Sequence, residues 1–466
     1  MPSRSPARTL SPTDFAYSRD RFRELAESAL KTARSLGASD AVAEVSEGVG
    51  LSVSVRKGET ENVERNRDKS IGVTVYAGQR RGNASSSDFS AAALEQTVRA
   101  AWDIARFTAE DSAAGLPEAD QLATGAAAER DLDLFHPWPI DAQAAIGIAT
   151  ECEAAALAVD RRITNSEGAG VSAQQSHFYA ANTRGFGAGY ASSRHSVSVA
   201  PIASLPGKGG DDMQRDAWYT SMRSAAELAA PAAVGRYAAE RALSRLRSRK
   251  IRTCEVPVLY EASLASGLLG AYVQATSGGS LYRKSSFLEG CLGKRVLAAH
   301  LDVREDPHVL RGKGSAPFDD EGVVTSARDI VVAGVAETYF LSTYSARKLG
   351  MTTTGHAGGS HNLVLSSRHT GAGDDLAAML RKLGRGLFVI ELMGQGVNYV
   401  NGDYSRGAAG FWVEGGEIAY PVHEITIAGN LRRMFESIVA VGADTYTTGS
   451  KTMGSVLVER MKIAGA

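Results

Sequence analysis

The sequence predicts an α+β protein: an N-terminal domain of antiparallel or mixed sheet with helices, then a C-terminal β-rich domain with few helices. Three observations carry this. Alternating runs such as "AVAEVSE", "LSVSVRKGE" and "IGVTVYAG" lie between Gly- and Asn-rich turns, as strands with one buried face do. Apolar residues at helical spacing are concentrated in the first half. Beyond residue 280 the chain turns into Gly-punctuated, β-type segments with few helical patterns.

In chain order, residues 1–20 read as a disordered tail, rich in Arg, Ser and Pro. From Arg21 to Leu36, Phe22, Leu25, Ala26, Ala29, Leu30 and Ala33 recur at helical spacing, and Gly37 ends the run as a cap. The three alternating segments follow. A long helix is expected over "SAAALEQTVRAAWDIARFTA" and another near 140–158, separated by a Pro- and Asp-rich connection. Strands resume with "GAGYASSRHSVSVAPIA". Segment 224–248 predicts a helix broken near Pro231 that closes a domain spanning 21–240. The second domain, 241–466, opens with a strand, "EVPVLY", and a helix, "EASLASGLLGAYVQA". It continues through "GLFVIELMGQGVNYV", "GFWVEGGEIAYPVHEITIAG" and "GSVLVERMKIAG" as β-structure.

Bulk properties exclude several function classes. The 51 Lys plus Arg balance 52 Asp plus Glu, so mean charge gives no pull towards nucleic acid or an anionic membrane. No apolar run reaches the roughly 18 residues that span a bilayer. Cys152, Cys254 and Cys291 are scattered, without Cys-x-x-Cys spacing, and read as thiols of a reducing compartment. The expected location is the cytoplasm.

"PVHEITIAGN" holds a His-Glu pair, but the position four after His423 is Ile427, and Val422, Ile425, Thr426 and Ile427 favour a strand over a zinc helix. "GQGVNY" has Tyr399 where a dinucleotide fingerprint needs Gly, and "GSKT" lacks the context of a phosphate loop. "GHAGGSH" places His356 and His361 around a Gly-rich loop containing Gly355 and Gly358. Two imidazoles can share a metal, but the same pattern also suits a tight turn with hydrogen-bonded histidines. "GDYSRGAAG", with Asp403, Ser405 and Arg406, reads as a second backbone-shaping turn. "GGSLYRKSSF" packs Ser280, Arg283, Lys284, Ser285 and Ser286 into a polar cluster. "PFDDEGV", with Asp319, Asp320 and Glu321, reads as a capped turn.

Taken together, the segments "NVERNRDKSIGVTVY", "RITNSEG", "GGSLYRKSSFL", "PFDDEGV", "TTGHAGG", "ELMGQGVN" and "GDYSRGAAGFWVEGGEIAYPV" resemble the TldD/PmbA peptidase family, on its PmbA (TldE) branch. The resemblance runs from about residue 40 to the C-terminus. It implies a two-subunit cytoplasmic peptidase acting on unfolded or short peptides, including peptide-antibiotic precursors and antitoxins. The TldD-type subunit holds zinc through a His-Glu-x-x-x-His helix and a later Cys. In this chain the corresponding positions are Glu261, Ala262 and Ser266, and "VGADTYTTGSK" supplies no Cys.

The resemblance therefore implies a subunit with no catalytic residues and no metal or other cofactor of its own. It would work beside a TldD-type zinc-bearing partner, with Gly355, His356, Gly358, His361, Asp403, Ser405 and Arg406 as candidate chamber or structural residues. Homodimerisation without the partner stays open. Two rivals remain at this stage: an autonomous metallopeptidase using His356 and His361, and a non-enzymatic protein-binding modulator of the kind an old association with DNA gyrase suggests.

Overall fold

A computed structural model of the chain describes residues 15–206 and 212–465. The expected tail falls outside these for residues 1–14. Its last residues do not behave as a tail. The backbone N–H of Ala16 lies 2.9 and 3.0 Å from the two carboxylate oxygens of Glu47, and the Phe15 ring packs 4.0 Å from that of His177. Glu47 is only 1% exposed, and a buried carboxylate must collect donors, so the incoming chain is tied down before the first helix begins.

The chain divides into two compact units, residues 1–243 and 244–466. In the first, helix α1 (Arg19–Ser35) starts at Ser18, whose hydroxyl accepts from Arg21 N. Strands β1 (Asp40–Arg56) and β2 (Glu59–Ala77) form a long hairpin closed by Lys57 and Gly58, both at positive φ. Strand β3 (Arg80–Ser86) and helices α2 (Ala91–Phe107) and α3 (Ala142–Leu157) follow. Then come β4 (Ile163–Asn182), β5 (Gly187–Ala188), β6 (Ala191–Leu205), β7 (Asp212–Arg215) and β8 (Trp218–Met222).

The main path of this antiparallel sheet runs β3-β2-β1-β4-β6-β7. Odd-numbered residues of β1, from Ala41 to Val55, are buried on one face, and α1 and α2 close over part of it. The even-numbered residues, among them Ser46, Gly48, Ser52 and Ser54, form a polar face of small side chains. Helix α4 (Pro231–Ser244) corrects one expectation. It is not broken at Pro231 but begins there, at the first helical position, where the missing N–H costs nothing.

The second unit contains β9 (Cys254–Tyr260), α5 (Ala262–Ala275), α6 (Gly278–Tyr282), β10 (Leu301–Asp306), β11 (Arg328–Val332), β12 (Val335–Ala336), α7 (Thr343–Lys348) and β13 (Asn362–Ser367). It continues with α8 (Leu376–Leu383), β14 (Gly386–Met393), β15 (Val397–Asn398), β16 (Asp403–Glu414), β17 (Glu417–Asn430), α9 (Leu431–Glu436), β18 (Ile438–Val441), β19 (Tyr446–Thr448), β20 (Lys451–Met453) and β21 (Val456–Ala464). One sheet runs β12-β11-β10-β13-β20-β19. In the other, β14, β9, β21, β17 and β16 pair in turn, and β16 pairs back to β14, closing a barrel. One barrel face joins a large core with α5 and α9, and the other packs under α8. Cys152 and Cys291 are buried and Cys254 half-buried, all as free thiols. No described helix is long and apolar enough to cross a membrane.

Candidate functional site

Three parts of the second unit bear on chemistry. The first is the start of α5. Strand β9 delivers the chain into the helix at Glu261, its N-cap residue, and Glu261 N donates to Val389 O at 3.0 Å. The Glu261 carboxylate accepts from the Ser263 hydroxyl at 2.6 Å, and the Ser266 hydroxyl donates to Ser263 O at 3.3 Å. Ala262 is 6% exposed and turned into the core.

Across the helix lies the β19–β20 hairpin, tied down by a bond from Thr448 Oγ1 to Ser263 O at 3.0 Å. Its Lys451 side chain rests on Gly270, four residues beyond Ser266 and so on the same helix face. Burial lowers the Lys451 pKa below its ordinary value. A zinc site needs three His, Cys or carboxylate ligands around an open position. One carboxylate and two hydroxyls do not fit that requirement. Among the described residues, no group of three His, Cys, Asp or Glu could hold a metal.

The second part is the histidine loop. It is anchored by Glu305, a fully buried carboxylate on β10. His356 Nε2 donates to Glu305 Oε2 at 2.7 Å, and the Thr354 hydroxyl lies 2.8 Å from His356 Nδ1. The backbone N–H of His361 donates to Glu305 Oε1 at 2.7 Å. Both ring nitrogens of His361 face carbonyl oxygens, Gly314 O at 3.1 Å and Gly355 O at 3.2 Å. Every ring nitrogen of the two imidazoles already faces an oxygen within 3.2 Å, so this geometry does not support a metal shared by His356 and His361.

Burial opposes ionisation of Glu305, but the hydrogen bond from His356, with that from the His361 backbone, outweighs it and holds the carboxyl below its ordinary range. Burial holds His356 below its ordinary value despite Glu305. The arrangement is a carboxylate with neutral His356, a structural clasp. Beneath the loop, Asp319 accepts backbone N–H groups from Ala357, Glu321 and Val323, and burial pushes it up to about 7. Gly358 needs to be glycine: its φ is +93°, and a Cβ there would sit 2.4 Å from the Asp320 carboxylate.

The third part overturns an expectation. "GDYSRGAAG" is not a turn; only Gly402 takes a positive φ, and Asp403, Ser405 and Arg406 open strand β16. The glycines misled because they serve close strand packing. A Cβ at Gly410 would lie 2.0 Å from Phe388 O on the neighbouring strand. Asp403 and Ser405 face solvent. Arg406 is half-buried, with its charge within reach of Tyr260, Tyr399 and Tyr404. The expected strand over "HEITIAG" is present in β17, where Glu424 adopts a positive φ beside a register shift. The sequence reading missed Glu305. Its signal was available: in "LDVRED" it alternates with Leu301 and Val303 on the buried face.

Sequence comparison completes the picture. The PmbA/TldA metallopeptidase C-terminal domain matches residues 253–465, the central domain 135–246 and domain 1 41–105. The chain belongs to the PmbA/TldD metallopeptidase family. It is 49% identical to Metalloprotease PmbA of Escherichia coli O157:H7, over 95% of this chain and 97% of that protein. It is 45% identical to the Metalloprotease PmbA homolog of Haemophilus influenzae, over 95% and 96%. These relatives place it on the PmbA branch of the family.

Among solved structures, a putative modulator of DNA gyrase from Bacteroides thetaiotaomicron superposes with a TM-score of 0.88 at 26% identity, covering 95% of this chain and 99% of that one. TldE from Thermococcus kodakarensis gives 0.79 at 18%, over 94% and 99%, and shares the fold.

Proposed function

We propose that this chain is the non-catalytic PmbA/TldE-type subunit of a two-subunit cytoplasmic zinc peptidase that processes or degrades unfolded and short peptides. One observation carries the reading. The helix where the family resemblance puts the zinc ligands carries Glu261, Ala262 and Ser266 at those positions in this chain, with Ala262 buried in the core. The word metalloprotease in the relatives' names is met by a TldD-type partner that brings the metal and the base. The rival metal site at His356 and His361 loses support because Glu305, Thr354 and two carbonyls already engage the rings.

Handling of extended peptides has a structural counterpart. Strand β3 pairs with β2 only from Ile71 to Ala77. Among the described residues, no strand pairs with the outer edge of β2 between Glu59 and Ser70. A peptide added along such an edge is held by main-chain hydrogen bonds, which tolerate varied sequence.

Zinc content tests the proposal. After dialysis the purified chain should carry well under one equivalent, and a chelator should leave its melting temperature unchanged. A metal bound tightly to the native state would raise that temperature by mass action. Near-equimolar zinc would overturn the assignment.

A further inference from the structure

The barrel carries a cation that the reading above leaves unused. Arg406 stands on β16 between the buried residues Tyr404 and Ala408, so it shares the face that joins the large core. Asp403 and Ser405 alternate to the other face and are exposed. Arg406 is half-buried, and its Nε–H is shut off from solvent and meets no acceptor. Among the described residues no carboxylate stands within ion-pair distance of it. Acids of the neighbouring barrel strands are engaged elsewhere, Glu391 with Arg245, Glu414 with the Trp412 indole, and Asp403 with Asn401 and Asn430.

What surrounds the guanidinium is neutral. Its charge is within reach of Tyr260, Tyr399 and Tyr404, and the Tyr404 hydroxyl lies beside both Tyr260 and Arg406. Burial raises all three phenols above their ordinary value, so none supplies a counter-charge. A cation that has lost part of its hydration and found no anion is held at a cost. A carboxylate offsets that cost through charge-assisted hydrogen bonds to the planar guanidinium fork. The surroundings are open to such a ligand. Gly394, Gln395 and Gly396 are exposed, and Gly396 O accepts from Ser405 N at 2.7 Å, which sets this loop beside Arg406.

We infer that Arg406, in its ring of tyrosines, is the anchor for a carboxylate of a bound peptide, from its C-terminus or from an Asp or Glu side chain. The inference rests on the peptide-handling reading and adds a specificity to it. Stability separates this role from a structural one. Removing an arginine that holds the fold together lowers the melting temperature. Arg406→Gln instead takes away a half-buried charge that no anion neutralises, so the variant should melt no lower than the parent protein.

The probes are N-acetylated seven-residue Ala/Ser peptides in two pairs. One pair ends in a free carboxylate or its amide, and the other is amidated and carries a central Glu or Gln. They are titrated against the full-length chain, alone and, with chelator present to stop cleavage, beside a TldD-type subunit. The acid member of one pair should bind about tenfold more tightly than its neutral twin, with the gap shrinking towards 1 M salt. A gap in the first pair identifies the C-terminus as the ligand, and a gap in the second a side chain. Arg406→Gln should erase the preference. Equal binding within both pairs, a preference that survives Arg406→Gln, or a lowered melting temperature in that variant overturns the anchor and leaves peptide handling standing. Failure of every peptide to bind overturns both.

Discussion

Glu305 holds the histidine loop together, and its energetics set the residue-scale expectations. Removing His356 leaves a buried carboxylate short of a partner, at a cost of about 3–5 kcal/mol, and removing Glu305 leaves the His356 and His361 donors unsatisfied, at about 1–3 kcal/mol each. Glu305→Ala and His356→Ala should therefore each lower stability by several kcal/mol in denaturant unfolding, and the double variant should cost clearly less than the sum of the two. Additive losses would mean that the clasp is not a coupled unit.

Buried titratable groups of both units give a pH dependence. Burial holds His177, His195 and His356 below their ordinary value in the folded state. The unfolded chain then binds protons more readily below about pH 6.5, so acidification destabilises. Asp319, raised to about 7, works in the opposite sense between about pH 4 and 7, because there the folded state holds the extra proton. Asp320 is also raised by burial and acts with Asp319; with three imidazoles against two carboxyls, the urea midpoint should fall from pH 7 to pH 5, and Asp319→Asn should make the fall steeper. A midpoint that rises on acidification would contradict this balance.

At the scale of elements, helix α5 gives the sharpest expectation. Restoring a ligand-like set with Glu261→His, Ala262→Glu and Ser266→His should yield little zinc affinity. The hairpin strands that pack on the helix, Tyr446–Thr448 and Lys451–Met453, contain no His, Cys, Asp or Glu to act as a third ligand. Position 262 is a core position, so Ala262→Glu should also destabilise the helix, readable as a lower melting temperature. Stoichiometric zinc in the triple variant would show a complete ligand field that the geometry denies.

Legibility in the sequence also divides at this scale. Helix α1 was readable from the spacing of Phe22, Leu25, Ala29 and Ala33, because local periodicity decides a surface helix. The β16 segment was not. Glycine looks the same in sequence whether it supplies positive φ, as Gly402 does, or lets strands approach, as Gly410 does. His356 and His361 stood out as a pair. The carboxylate that binds them is Glu305, more than 50 residues earlier, and only the pairing of β10 with β13 brings the two together. Closure of the barrel depends on β14 pairing with both β9 and β16, which no local pattern encodes.

For the whole molecule, division of labour is the central claim. On the proposed reading this chain supplies fold, assembly surface and peptide contacts, and a TldD-type partner supplies metal and base. A positioned general base alone contributes typically ~10² to 10⁴ in rate, so a subunit without it should be silent in a peptidase assay. The direct measurement is cleavage of an unfolded peptide by the purified chain, checked by mass spectrometry to be free of co-purified peptidase, and then by the chain mixed with a TldD-type subunit. The account predicts no turnover alone and chelator-sensitive turnover in the mixture, unchanged by Ser266→Ala. Chelator-sensitive turnover by this chain alone would contradict it.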